Sequence, residues 1–435
     1  MSAPNSTSAD TLALPRDTRW RRLWRPFWVL PVAICGLALL AGVAMPTIDD
    51  SLVGRVPYVF EGGPDGARTL LGTIAGAMIS VTGLVFSVTI VVLQLASSQF
   101  TPRIIPQFLS SRITQVTLGF FMATFIYSLT VMRAVRGGNE EIDTFVPEVA
   151  ITLAFVLVLV SVGCFLAFIH NITSSIQVSQ IVSRLGESTV ALIDQLYPAA
   201  ATGAARDGDE HTSAMAAVPH HDWSPRPGAH RTDVTASNRH GVVTAIDYPR
   251  LVDAAGDVDA VIVIDVDLGQ FIAEGHQFAT VWAARELDPS CRRLIERSFH
   301  LGGERSMVQD VAFGFRQLVD IAERALSPGI NDPTTASQII DELHRSLRRL
   351  VGRPAPSPNI VSDEGHLRVV HRRATFQSLL DLAVDEIAHY GKDSLQIPRR
   401  LHVMLDDLRQ CAQPSNVDAI DNASQRVRDM TGPGT

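Results

Sequence analysis

One lysine, Lys392, stands among 435 residues, so the positive charge of this chain is almost wholly arginine. With a formal net charge of −8 the chain lacks the basic surface that nucleic-acid binding needs, and no nucleic-acid partner is expected. Four cysteines make no disulfide scaffold, and no Cys-x-x-Cys or Cys/His metal spacing accompanies them. Cys35 and Cys164 fall in apolar runs, Cys291 and Cys411 outside them, and all four read as small apolar filler. A nucleophile elbow, a phosphate loop, a metal motif and an ordered Ser/His/Asp set are all missing. The chain is therefore read as no enzyme, with no cofactor.

The other shortage is of charge along four long apolar runs, roughly 27–46, 69–96, 113–133 and 146–170. Each reaches the ~20 residues that a helix needs to cross a bilayer core. The first follows polar residues 1–26, whose first fifteen read as disordered, and precedes acidic rather than small residues, so it reads as a retained span and not a signal peptide. Ionisable residues near the runs (Arg133, Glu148, His170) sit only at their ends, which weighs against proton-coupled pumps and ion-coupled transporters. Four unequal spans also show no inverted repeat.

The second span, Leu70–Ala96, divides onto two helical faces. At 100° per residue Gly72, Gly76, Ser80, Gly83 and Ser87 form one narrow stripe. Ile74, Met78, Val81, Val85, Val88 and Val92 lie opposite and are expected to meet lipid. Spans associate by letting backbones approach over small residues, so the stripe is expected to pack on protein in a homo-oligomer or to line a pore. In the pore reading Ser80 and Ser87 wet the path, and Phe86 or Ile90 at the stripe's edge constricts it by dewetting. Gln94 extends the polar character toward the cytoplasm, and Arg103 and Arg112 either ring a mouth there or serve only as positive-inside anchors.

Arginine placement sets the orientation. Arg16, Arg19, Arg21, Arg22 and Arg25 precede span one, and Arg103 and Arg112 separate spans two and three. The other two connections carry Asp49, Asp50, Glu61, Asp65, Glu140, Glu141 and Asp143, partly offset by Arg55, Arg68 and Arg136. Both termini are expected in the cytoplasm, with Trp20, Trp24 and Trp28 anchoring span one at the inner interface.

Beyond the spans, residues 171–198 read as a helix leaving the membrane, and 199–236 as a flexible linker whose His211, His220, His221 and His230 hold no ligand spacing. Residues 237–284 read as a β-module, with strands at 241–246, 260–266 and 278–282 and a short helix at 251–255. Gly269-Gln-Phe-Ile-Ala-Glu-Gly275 resembles the turn of biotinyl/lipoyl-type barrel-sandwich domains, but this region holds no lysine to carry such a cofactor. Residues 285–435 read as helical, with Asp332 a helix N-cap ahead of Pro333. His276, His300, Asp310, Arg316, Asp320 and Glu323 suggest a hydrolytic site only weakly, since Arg316 and Asp320 read more simply as an i,i+4 pair on a solvated face.

Several stretches resemble the bacterial membrane-protein family catalogued as domain-of-unknown-function family 2254. They are Ser98-Gln-Phe-Thr-Pro-Arg103, Leu118-Gly-Phe-Phe-Met-Ala-Thr-Phe-Ile-Tyr127, Phe168-Ile-His170, and Phe313-Gly-Phe-Arg-Gln-Leu-Val-Asp-Ile-Ala322 running into Ser327-Pro-Gly-Ile-Asn-Asp-Pro-Thr334. The resemblance implies a bacterial inner-membrane protein with a large cytoplasmic domain, and no catalytic residues. The expected fold is four transmembrane helices plus a cytoplasmic α+β domain with a small β-barrel-like module and a helical tail. The plan is similar to that of small-conductance mechanosensitive channels, so a channel-like homo-oligomer passing ions is expected. The alternative is a non-conducting scaffold or sensor whose cytoplasmic domain binds a protein or small ligand.

Overall fold

The computed structural model describes residues 7–8, 12, 27–52, 60, 62–99, 112–137, 145–175, 177–197 and 223–431. The chain divides into two units, residues 16–180 and residues 1–15 with 181–435.

The first unit is helical. Helices α1 (Val29–Leu52), α2 (Pro64–Gln99), α3 (Arg112–Met132) and α4 (Glu148–Ser175) each carry a stretch long and apolar enough to span a membrane. Helix α3 is the hub, packing against α1, α2 and α4. Its approach to α1 is set by glycine. A Cβ on Gly119 would fall 2.7 Å from Ile34 Cδ1 and 3.3 Å from Pro31 Cα, and one on Gly42 would fall 2.9 Å from Thr130 Cβ. Hydroxyls stitch α3 to α4, where the Thr124 and Ser161 hydroxyls meet at 3.1 Å and Thr117 Oγ1 donates to Cys164 O at 3.1 Å. Such interhelical bonds hold where apolar packing gains little from lipid. Asp49 is not in a loop but buried in the last turns of α1, where its Oδ1 accepts from Ala150 N at 2.9 Å. It thereby satisfies one of the open donors in the first turn of α4.

The second unit is α+β. Helix α5 (Val178–Leu196) begins three residues after α4 ends. It packs into this unit, with Asp194 accepting from Arg349 and Arg353. Strands β1 (Thr7–Ser8), β2 (His230–Thr235), β3 (Gly241–Ile246), β4 (Val261–Ile264), β5 (Phe271–Ile272), β6 (Gln277–Ala283), β7 (Phe299–Gly302), β8 (Asn359–Val361) and β9 (Leu367–Val370) form two open sheets. One runs β1-β8-β9-β4-β6-β2 and the other β5-β3-β7. The barrel-like expectation is therefore corrected: neither sheet closes among the described residues. Strands from outside the expected module explain the difference, among them β7, which lies in the expected helical stretch and pairs with β3. Strand β2 comes from the end of the expected linker, and the β8–β9 hairpin comes from within the expected helical stretch, with β9 parallel to β4. The sheets meet through Phe278 and Phe299, stacked at 4.7 Å between centroids. Gly269 and Gly275, at φ +81 and +80, make the two reversals around β5, a conformation that glycine adopts without strain.

Helices α6 (Tyr248–Asp257) and α7 (Pro289–Arg297) flank the sheets. A helical layer follows: α8 (Val311–Leu326), α9 (Pro333–Val351), α10 (Phe376–Gly391), α11 (Gln396–Cys411) and α12 (Pro414–Thr431). Asp332 caps α9 by accepting from Thr335 N at 3.0 Å. Arg316 does not lie on a solvated face. It joins α8 to α10, donating to Asp320, Glu323 and Glu386 with only 20% of its side chain exposed. Hydrogen bonds to those carboxylates raise its pKa, while burial and the neighbouring Glu386 carboxylate lift Glu323 to about 7.

Thr7, Ser8 and Leu12 also differ from the disordered expectation, and the rest of residues 1–15 lies outside the described residues. Thr7 and Ser8 pair in parallel with Ile360 and Val361, and Leu12 is buried in the core of this unit. Gln309 Nε2 donates to Leu12 O at 2.8 Å, fixing the arm.

Candidate functional site

Helix α2 presents its two faces in the opposite sense from the lipid expectation. Ile74, Met78 and Val85 are buried and Val81 and Val88 partly so, packed in a cluster that includes Leu118, Phe121 and Ala154, and Val92 is buried as well. The branched stripe is thus the one that the chain itself covers. On the other side Gly76, Ser80, Gly83 and Ser87 are exposed and Gly72 half-exposed. A Cβ at Gly72, Gly76 or Gly83 would meet nothing within 4 Å. The Ser80 hydroxyl donates back to Gly76 O at 2.8 Å, which keeps it satisfied inside the helix.

Phe86 and Ile90 are also exposed, at 57% and 40%, as is Gln94. Arg112 is the exposed first residue of α3, and Arg103 lies outside the described residues. Trp28 is exposed, while Trp20, Trp24, His211, His220 and His221 lie outside the described residues. His230 begins β2. Of the weak hydrolytic set, Asp310 pairs with Arg305, and Arg316 with Asp320, Glu323 and Glu386.

A second feature was not legible in the sequence. The α+β unit encloses a cavity of about 480 Å³ between Leu12, Leu196, Tyr248, Leu268, Val311 and the 371–375 segment. Its floor is a buried polar chain. His371 Nε2 lies 3.1 Å from the Val266 carbonyl, which only accepts, so Nε2 carries the proton. Nδ1 then accepts from the Tyr248 hydroxyl at 2.8 Å. Burial pulls the His371 pKa to about 4 and pushes the Tyr248 hydroxyl up, so the pair is neutral. Asp310, the N-cap of α8, accepts from Phe313 N at 2.9 Å and from Arg305 Nη2 at 2.8 Å, and burial raises its pKa against that pull. Arg373 donates to the Leu196 and Ser357 carbonyls, and burial lowers its pKa. Arg372 is exposed at the mouth and has no hydrogen bond or ion pair among the described residues. The only sequence signal was an adjacent arginine pair leading into a helix start at Thr375.

Comparison with known proteins agrees with the membrane reading. Over 405 residues the chain is 29% identical to an uncharacterized protein of Mycobacterium tuberculosis and to one of Mycobacterium bovis, covering 90% of this chain and 74% of each relative. No solved structure matches it. The model of the family described as a predicted membrane protein, DUF2254, matches residues 24–407, which takes in all four apolar helices and most of the α+β unit. The chain belongs to the DUF2254 family of predicted membrane proteins.

Proposed function

We propose that this protein self-associates in the bacterial inner membrane through the small-residue face of α2, and that the assembly is channel-like, with that face along the conduction path. The observation that carries the reading is the contrast between the two sides of α2: the branched side is covered within the chain, whereas Gly72, Gly76 and Gly83 have open space above them. A groove of glycine and serine offers lipid tails little contact, but it lets a second backbone come close. Symmetric copies around an axis would turn the same face inward, with Ser80 and Ser87 toward the path and Phe86 or Ile90 narrowing it. Ions are the cargo that this reading names, and catalysis forms no part of it.

Orientation follows the same reading. Four spans bring both ends of the chain to one side, and the pairing of Thr7–Ser8 with Ile360–Val361 supports it. The arginines before span one assign that side to the cytoplasm.

Single-channel recording from purified protein in a planar bilayer tests the proposal, with Gly83→Trp alongside. Discrete steps in the wild type that vanish in Gly83→Trp, at unchanged oligomeric state, are expected. A bilayer that stays silent over a range of voltage and tension would contradict conduction and favour the scaffold or sensor reading, for which the cavity of the α+β unit is the observation in favour.

A further inference from the structure

We propose that the cavity of the α+β unit is a binding site for a small organic acid: an anionic head held by Arg372 at the mouth and an apolar body inside. The site stands apart from α2 and does not depend on conduction. Its volume of about 480 Å³ matches that of small-molecule pockets, which combine apolar walls with a few polar groups that fix orientation. Leu12, Leu196, Leu268 and Val311 supply the walls.

Which polar groups remain to address a ligand follows from the hydrogen bonds already made. The Tyr248–His371–Val266 chain is internally satisfied and neutral. Gln309 is likewise spent: its Nε2 donates to Leu12 O and Ile246 O, and its Oε1 accepts from Ile246 N. Asp310 is engaged by Arg305 and by the Phe313 amide. Arg372 lines the cavity with no hydrogen bond or ion pair among the described residues, Arg373 stands next to it, and α10 begins just beyond with a neutral Thr375 cap and no acid in its first turn. Asp267, exposed on the lining, is the opposing charge. The balance at the mouth favours an anion. A carboxylate gains a charge-assisted pair with a guanidinium, whereas a neutral head gains only an ordinary hydrogen bond. Leu12 forms one wall, so an occupied cavity touches a residue that precedes span one in the sequence.

The test uses the full-length protein in lipid nanodiscs, with 1-naphthoate as the probe and the neutral 1-naphthalenemethanol as its match, read by calorimetric titration. Saturable naphthoate binding is expected, with the alcohol weaker by about tenfold or more. Arg372→Ala should weaken naphthoate by a similar factor and leave the alcohol unchanged, without loss of thermal stability, because Arg372 is exposed and makes no hydrogen bond or ion pair among the described residues. Ala312→Trp should fill the cavity and abolish binding of both probes; should it unfold the protein, Leu268→Trp from the other wall serves instead. Equal binding of acid and alcohol, naphthoate binding indifferent to Arg372→Ala, or no saturable binding at millimolar concentration would each overturn the proposal.

Discussion

Two sets of glycines in the membrane-spanning unit teach opposite lessons. At Gly42 and Gly119 the chain uses the missing side chain itself: α1 and α3 touch there, and a Cβ would fall within 3 Å of a neighbouring carbon. At Gly72, Gly76 and Gly83 the same residue type, on a helix just as apolar, faces open space. Composition alone does not separate the two sets. What separates them is the partner. The α1–α3 approach is complete in one chain, whereas the glycines of the α2 face meet no partner among the described residues, which is the reason for proposing self-association there.

The contrast is broken most severely by Gly119→Leu. The added side chain must push Ile34 and the α1 backbone away, a cost of about 3 kcal/mol or outright misassembly, seen as a lower unfolding temperature of the purified protein. Acid acts elsewhere and sharpens the comparison by sparing both glycine sets. His371 is buried with a pKa of about 4, against 6.5 unfolded, so between those values the unfolded chain binds more protons. The stability that it contributes is full above pH 6.5 and is lost as pH falls, by about 2 kcal/mol at pH 5. His371→Gln should flatten that part of the stability–pH curve measured by thermal unfolding, with self-association unchanged. Gly76→Leu is the smallest on folding, within about 0.5 kcal/mol, because among the described residues nothing lies within 4 Å of the Cβ it adds. Its effect should appear instead in the oligomeric state, measured by photobleaching steps in nanodiscs.

Much of the fold was legible because its signals are local. The four spans are runs of apolar residues, β3 is the alternation of Gly241–Ile246, and the start of α9 is written in Asp332-Pro333. What escaped depends on contacts distant in sequence. Val369 falls in a stretch read as helical until it pairs with Ile262, and Thr7 in one read as disordered until it pairs with Ile360. The solvated reading of Arg316 failed for the same reason, because Glu386 comes from another helix. On α2 the periodicity separated two faces but did not say which one its own chain would cover. A branched face is as suited to α3 as to lipid, and only the tertiary structure chooses. The cavity had no local signature beyond Arg372-Arg373, since its walls come from Leu12, Leu196, Leu268 and Val311.

Disulfide trapping in membranes tests the central claim most directly, with single cysteines placed on the two faces of α2 after Cys35, Cys164, Cys291 and Cys411 are replaced by serine or alanine. Oxidation should link copies of Gly83→Cys, on the open face, and leave Val85→Cys, buried within the chain, unlinked. Cross-linking at Val85→Cys with none at Gly83→Cys, or no cross-link from either at native expression, would contradict it.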